Sequence, residues 1–111
     1  MSTYPLNLII SQGTDFEITL TVRNTDGSPL NLLSYTGLSL LKKHYTSNKN
    51  YPFTLTFLDR LNGKISLFMH NSITKTLTEG RYVYDIILES PNNIKKRMIE
   101  GTVIVSPGVS F

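Results

Sequence analysis

The sequence of 111 residues contains no cysteine. The chain therefore has no disulfide, no zinc–thiolate site and no thiol nucleophile. It also has no apolar run close to the roughly 20 residues that a membrane-spanning helix needs. Its first ten residues, MSTYPLNLII, lack the basic stretch that precedes the apolar run of a signal peptide. These absences predict a soluble product of the cytosol, with no membrane partner, that acts alone or within a larger assembly.

A strong charge of one sign is absent as well. Eleven Lys and Arg residues stand against eight Asp and Glu residues, and the net charge of +3 is too small to indicate a nucleic-acid partner. Two basic clusters do occur, at residues 42–44 and 95–97. Neighbouring residues of a strand point to opposite faces, so three basic residues in a row do not form one patch. The clusters favour a solvated edge or a partner contact, and we expect no bound nucleic acid.

What the sequence does contain is a hydrophobic period of two, which is the period of β-strands. The residues expected to face a core are Phe16, Ile18, Leu20, Val22, Leu38, Leu40, Phe53, Leu55, Phe57, Ile65, Leu67, Met69, Tyr82, Tyr84, Ile86 and Leu88. Turn residues separate these segments at spacings typical of β-sandwiches. We therefore predict an all-β fold, a single immunoglobulin-like β-sandwich of about seven or eight strands. The domain would span residues 1–111, with residues 106–111 as a candidate docking tail.

The stretch EGRYVYDIILES, residues 79–90, holds the side chains with the most evident chemistry. Tyr82 follows a glycine by two residues, which suits the tyrosine corner of a sandwich, where the hydroxyl bonds back to the preceding loop. Tyr84 shares a face with Tyr82, whereas Asp85 points the other way. In a regular strand, Tyr84 and Asp85 therefore do not form an acid–base pair, and a structural role is favoured.

No other catalytic or metal-binding pattern is found in the sequence. His44 and His70 stand alone, without a second histidine at metal-ligand spacing. The sequence has no calcium loop, no phosphate loop and no nucleophile elbow. An enzyme would need a pocket that gathers Asp85 with His70 or Glu100, which the alternation does not favour. We therefore predict no catalytic residue, no metal and no cofactor, and a protein that is not an enzyme.

Five short stretches, taken in order, resemble a known group of proteins. They are SQGTDF, DGSPLNLLSYTG, LNGKISL, LTEGRYVYDIIL and IEGTVIVSPGVS. Their order and spacing resemble small virion structural proteins of tailed phages, above all those of the T4-like phages of marine cyanobacteria. The chain is also similar to the N-terminal docking module of upper-baseplate proteins in some phages of Gram-positive bacteria. The resemblance spans about Asn7 to Val109 and brings no catalytic residue. It implies a virion protein, made in the host cytoplasm, on the capsid or on the tail or baseplate.

The chain departs from the resemblance at LSLLKKHY, where the family pattern is more polar. Alternation in this stretch and in two later ones places apolar side chains on outer faces, where a contiguous set would mark a binding surface. The last residues of the chain have no evident place in a core. The predicted interface residues are Leu41, Leu58, Phe68, Val109 and Phe111. We expect this interface, together with pairing along a sheet edge, to bind other virion proteins or further copies of the chain.

A second function stays open, namely recognition of a glycan on the host surface. Tyrosines flank the polar loop TSNKN, and aromatic faces beside amide groups suit such a ligand. The candidate ligand loop consists of Tyr45, Asn48, Asn50 and Tyr51. A glycan site predicts that these aromatic faces are exposed together.

Overall fold

Strands make up most of residues 4–109, the part of the chain that this computed structural model describes. They are β1 (Tyr4–Pro5), β2 (Leu8–Ser11), β3 (Phe16–Thr21), β4 (Thr36–Lys42), β5 (Tyr51–Pro52), β6 (Thr54–Asp59), β7 (Lys64–Met69), β8 (Gly80–Glu89) and β9 (Lys95–Ser106). A 3-10 turn (Arg60–Asn62) joins β6 to β7, and a short helix, α1 (Asn71–Thr74), lies between β7 and β8. Within the described range, no helix has the length and apolar character needed to cross a membrane.

The strands form two sheets. The larger sheet has the order β1-β9-β8-β4-β5, and β2 follows β1 along the same side of β9. The smaller sheet has the order β3-β7-β6. The orders β4-β8-β9 and β3-β7-β6 are those of strands C-F-G and B-E-D in an immunoglobulin sandwich. The predicted all-β sandwich is confirmed.

A cluster of buried apolar side chains from both sheets forms the core. On β7 and β8 its members alternate as the period of two predicts. They are Ile65, Leu67, Met69, Tyr82, Tyr84, Ile86 and Leu88. On β3, Phe16 is buried, and Ile18 and Leu20 are partly buried against the cluster. Each such side chain contributes about 1.5–3 kcal/mol when it is fully buried, so this cluster is the main source of stability.

On β4 the opposite set of residues faces the core, and the sequence prediction is wrong there. Leu41 and Ser39 are buried, whereas Leu38 is 55% exposed. The Ser39 hydroxyl donates to the carbonyl of Asp85 at 2.7 Å, so its burial leaves no hydroxyl unpaired. Leu41 lies opposite a tyrosine on each neighbouring strand. Leu41 is therefore a core residue, and its predicted place on an outer interface is corrected.

The predicted tyrosine corner is present at the start of β8. The hydroxyl of the buried Tyr82 accepts from the Thr78 N–H at 3.0 Å and donates to the Thr78 carbonyl at 3.1 Å. The Lys43 ammonium lies 4.6 Å from the centre of the Tyr82 ring, and the Tyr51 ring packs edge-on against it. These contacts hold the start of β8 in place, which fixes the outward-facing side chains of that strand.

The N-terminal edge of the larger sheet passes close to β9. Between β1 and β2, the Leu6 carbonyl accepts a hydrogen bond from the Tyr84 hydroxyl at 2.7 Å. Burial raises the pKa of Tyr84 above its ordinary value, which keeps this donor protonated. A Cβ on Gly101 would overlap the same Leu6 carbonyl, so this position of β9 requires glycine.

Candidate docking groove on the larger sheet

The outer face of the smaller sheet is mainly polar. Glu17 and Thr19 on β3, and Thr54 and Thr56 on β6, are exposed there. Phe68 on β7 lies among them and is half-buried. An antiparallel sheet with one solvated side typically has such a face. We expect this side of the sandwich to face water.

The outer face of the larger sheet is apolar over several strands. Ile9 on β2 is 71% exposed, and Leu38 on β4 and Ile104 on β9 are exposed as well. Val83 and Ile87 on β8 are half-buried on this face. Central strand β8 thus carries apolar side chains on both faces, although the smaller sheet covers only one of them. Apolar faces of this kind mark binding surfaces.

A groove of about 270 Å³ lies in this face. Its lining residues are Leu38, Leu40, Lys42, Tyr45, Val83, Tyr84, Asp85, Ile87 and Arg97. Alternate residues of the paired strands β4 and β8 share the face, so Leu38, Leu40, Val83 and Ile87 form an apolar floor. Hydrogen-bonded strands therefore build most of the groove.

A β-bulge turns Arg97 onto this face. Ile86 pairs with Ile99 while the next residue, Ile87, pairs with Arg97, so Met98 is the extra residue on β9. Met98 and Ile99 are both buried in consequence, so the alternation of β9 is interrupted between these two residues. The bulge thereby sets a guanidinium at one end of the apolar floor.

Arg97 is paired with two carboxylates of the same face. Its Nε lies 3.0 Å from Oδ2 of Asp85 and 3.9 Å from Oε2 of Glu100. The hydrogen bond and the charge of Asp85 raise the pKa of the Arg97 guanidinium, and Tyr45 lies near enough to add to that effect. Because the pair is largely open to solvent, it contributes little to stability. It gives the groove a charged end, at which two carboxylates share one guanidinium.

The remaining side of the groove carries a cation and an aromatic ring. Tyr45 is 76% exposed. Lys42 is half-buried beside it and forms no ion pair with another residue of the described range. Its neighbour Lys43 lies instead over the Tyr82 ring. The basic cluster at residues 42–44 therefore splits between the groove and the tyrosine corner, as the alternation of a strand requires.

The predicted interface residues do not come together. Leu58 is 54% exposed and Phe68 is half-buried, but they lie at opposite ends of the β6–β7 pair on the smaller sheet. Val109 is exposed beyond the end of β9, and Phe111 lies outside the described residues. With Leu41 in the core, the four of these residues that the structure describes do not form one surface.

The structure also separates the two tyrosines of the candidate ligand loop. Tyr45 lines the groove on the outer face, whereas the ring of Tyr51 packs inward, 6.4 Å from the ring centre of Tyr82. Asn48 and Asn50 are exposed between them. The two rings therefore do not present one platform to a sugar.

The residues singled out for catalysis lie on different parts of the fold. Tyr84 faces the core and bonds to backbone, while Asp85 faces outward, as predicted. Glu100 is the cross-strand partner of Asp85, but His70 caps α1 by accepting from the backbone N–H of Ser72. Within residues 4–109 there is no group of three or more histidine and acidic side chains arranged to hold a metal ion.

Sequence reasoning missed most residues of the groove, although one signal was present. Val83 and Ile87 alternate with the buried residues of β8, so two apolar side chains lie on the outward face of that strand, among Arg81, Asp85 and Glu89.

Comparison with known proteins shows which solved structures have a similar fold. No protein-family profile matches the chain, and a search of curated proteins gives no match. Among solved structures, the chain is similar to the N-terminal domain of phage TP901-1 ORF48, with a TM-score of 0.61 and 10% sequence identity over 96% of this chain and 99% of that one. A likeness to an internalin-like protein of Listeria monocytogenes has a TM-score of 0.46 and 16% identity, over 96% of this chain and 28% of that one. The first likeness shows a shared fold over nearly the whole of both chains.

Proposed function

We propose that this chain is a non-enzymatic structural subunit of a tailed-phage virion, which docks on other virion proteins through the outer face of its larger sheet. The fold supports the proposal, because a phage protein domain has the same fold. The sequence resemblance to virion proteins of T4-like cyanophages and to upper-baseplate docking modules supports it as well. A fold alone does not assign a function, so the argument for this function has to rest on the surface of the molecule.

The observation that carries the proposal is the groove and the apolar face around it. A soluble monomer rarely leaves a wide apolar face open to water. Here Leu38, Leu40, Val83 and Ile87 form one apolar patch on β4 and β8, and Ile9 and Ile104 form a second one nearer the other end of β9. The smaller sheet covers the opposite side of the larger sheet. In a virion, a neighbouring subunit would supply the second cover.

The test is binding to particles of the encoding phage that were assembled without this protein. Purified chain is mixed with such particles and sedimented, and the bound amount is measured against concentration. Saturable binding to heads, at a stoichiometry set by capsid symmetry, would identify a decoration subunit. Saturable binding to tails would identify a tail or baseplate accessory. Binding to neither contradicts the proposal.

Substituting two leucines of nearly equal exposure tests which sheet carries the docking face. Leu38 lies in the groove at 55% exposure, and Leu58 lies on the smaller sheet at 54%. Leu38→Ser should weaken particle binding by roughly fivefold or more, the effect of losing an apolar anchor worth over about 1 kcal/mol. Leu58→Ser should leave binding unchanged. Circular dichroism confirms that both variants fold. The reverse ranking would move the interface to the smaller sheet and overturn the docking face proposed.

A further inference from the structure

We infer that the groove accepts a protein segment in which a bulky apolar side chain stands next to Asp or Glu. This inference rests on the proposed function, since it specifies the partner of the same face. Its basis is the distribution of charge over the fold, the one unpaired cation among the groove residues, and the size and composition of the groove floor.

The charge of the chain is unevenly distributed. Residues 36–52 and 80–106, which hold β4, β5, β8 and β9, contain seven basic residues and three acidic ones. The rest of the chain contains four basic and five acidic residues. The net charge of +3 thus comes from the part of the fold that builds the groove. A partner surface that complements this part is acidic.

Inside the groove, the one acidic side chain of the lining is already occupied. Asp85 bonds to Arg97, and Glu100, which is outside the lining, lies 3.9 Å from the same guanidinium. Lys42, Arg97 and Asp85 give the lining a formal charge of +1. Lys42 has no such partner in the described range and lies beside the apolar floor. A carboxylate of the partner can therefore pair with Lys42. A cation of the partner would be repelled by Lys42, and the nearby acidic groups are already paired with Arg97.

The size and floor of the groove favour a side chain over a cofactor. Its volume of about 270 Å³ is just below the range of roughly 300–1,000 Å³ typical of small-molecule pockets. The floor of Leu38, Leu40, Val83 and Ile87 presents methyl groups, and Asp85, which lies between Val83 and Ile87, is bonded to Arg97. Tyr45 adds an exposed ring at the rim, a residue type enriched where protein partners bind. An aliphatic or aromatic side chain flanked by carboxylates can pack on the apolar floor while a carboxylate pairs with Lys42.

The inference is tested with defined peptides and needs no phage particle. The probes are three blocked pentapeptides, Ser-Glu-Leu-Glu-Ser, Ser-Lys-Leu-Lys-Ser and Ser-Glu-Ala-Glu-Ser, titrated into the ¹⁵N-labelled chain and followed by NMR. We expect the Glu-Leu-Glu peptide to shift amide signals of residues 38–45 and 83–87 saturably. The Lys peptide and the Ala peptide should bind more weakly at these residues. Equal binding of the Lys peptide, or shifts confined to other parts of the fold, would overturn the inference.

A charge reversal at Lys42, with a matched control outside the groove, tests whether Lys42 is the cation that binds the acidic peptide. Lys42→Glu should weaken binding of the Glu-Leu-Glu peptide about tenfold, because it exchanges a modest attraction for a comparable repulsion. Lys75→Glu makes the same change at an exposed site after α1, outside the groove, and should leave the affinity unchanged. Equal effects of the two variants would show a dependence on net charge only, against the inference.

The outcomes separate this inference from the proposed function. If particles bind the chain but the acidic peptide does not bind the groove, the virion role stands and the acidic preference falls. If the peptide binds the groove but no particle does, the preference stands and the virion role falls.

Discussion

Truncating two leucines of β4, one at a time, tests the register of the strand on which the docking face depends. Leu41 is fully buried and lies opposite Tyr84 on β8 and Tyr51 on β5. Leu38 is 55% exposed and lines the groove. A shift of the strand by one residue would exchange the two environments. Alanine at each position therefore reports directly on which side chain the core contains.

The expected losses of unfolding free energy differ severalfold between the two alanine variants. Leu41→Ala removes buried methyl groups and leaves a cavity, which costs about 2–5 kcal/mol of unfolding free energy. Leu38→Ala removes a side chain that is already half in water, and we expect a loss below about 1 kcal/mol. At roughly 4 °C per kcal/mol for a chain of this size, Tm should fall by about 8–20 °C for Leu41→Ala and by less than about 4 °C for Leu38→Ala.

Equilibrium urea unfolding followed by far-ultraviolet circular dichroism measures both losses, and this signal suits a chain without tryptophan. The slope of the unfolding free energy against urea should be the same for both variants, which makes their midpoints comparable. A loss for Leu38→Ala equal to or larger than that for Leu41→Ala would refute the register. The groove would then be wrong as well, because its floor depends on Leu38 facing outward.

Three further substitutions address the corner and the N-terminal edge. Tyr82→Phe should lower the unfolding free energy by about 1–3 kcal/mol, because the Thr78 N–H loses its acceptor; urea unfolding measures the loss. Stability of the parent chain should fall as the pH rises above the ordinary Tyr pKa of 10.0, since burial raises the native pKa of Tyr84 and the unfolded chain loses its proton first. Tyr84→Phe should remove that part of the slope in a series of unfolding curves between neutral and alkaline pH. Gly101→Ala should cost about 1–3 kcal/mol, because its Cβ overlaps the Leu6 carbonyl, and should speed hydrogen exchange in β2.

The controls for these substitutions come from the same chain. Tyr45→Phe removes a hydroxyl from an exposed ring and should leave stability unchanged, which isolates the effect of the Tyr82 hydroxyl. An alkaline slope that survives in Tyr84→Phe would assign the loss to other tyrosines. Unchanged exchange in β2 of Gly101→Ala would mean that the N-terminal edge adjusts without strain.

The sequence predicts the sandwich and most of its core because alternation reports which face of a strand is apolar. On β7 and β8 one face is aliphatic or aromatic throughout, and Ile65, Leu67, Tyr82 and Ile86 are buried as expected. On β4 both faces hold leucine. Leu38 and Leu40 lie on one face and Leu41 on the other, so the number of leucines favours the face that in fact points outward. The core-facing register also buries Ser39, whose hydroxyl finds an acceptor on a strand 46 residues away in sequence. No local pattern contains that information.

The groove was beyond prediction for a related reason. Its residues come from two paired strands, a loop and the position before a bulge, and only the folded sheet brings them together. Alternation on β9 alone cannot place Arg97 beside Asp85, because Met98 interrupts the alternation. The predicted interface is wrong at Leu41, which lies in the core, whereas Leu58 and Phe68 face outward as expected but lie at opposite ends of the β6–β7 pair.

The edge of the larger sheet nearest the groove limits how a partner can bind there. Strand β5 is two residues long and contains Pro52, which has no N–H to offer to a further strand. We expect the proposed partner to meet the face of the sheet and its side chains, whereas an added strand would bind mainly through backbone groups of any sequence. Binding through side chains concentrates affinity and specificity in a few positions. Single substitutions such as Leu38→Ser and Lys42→Glu should for that reason be enough to separate docking from folding.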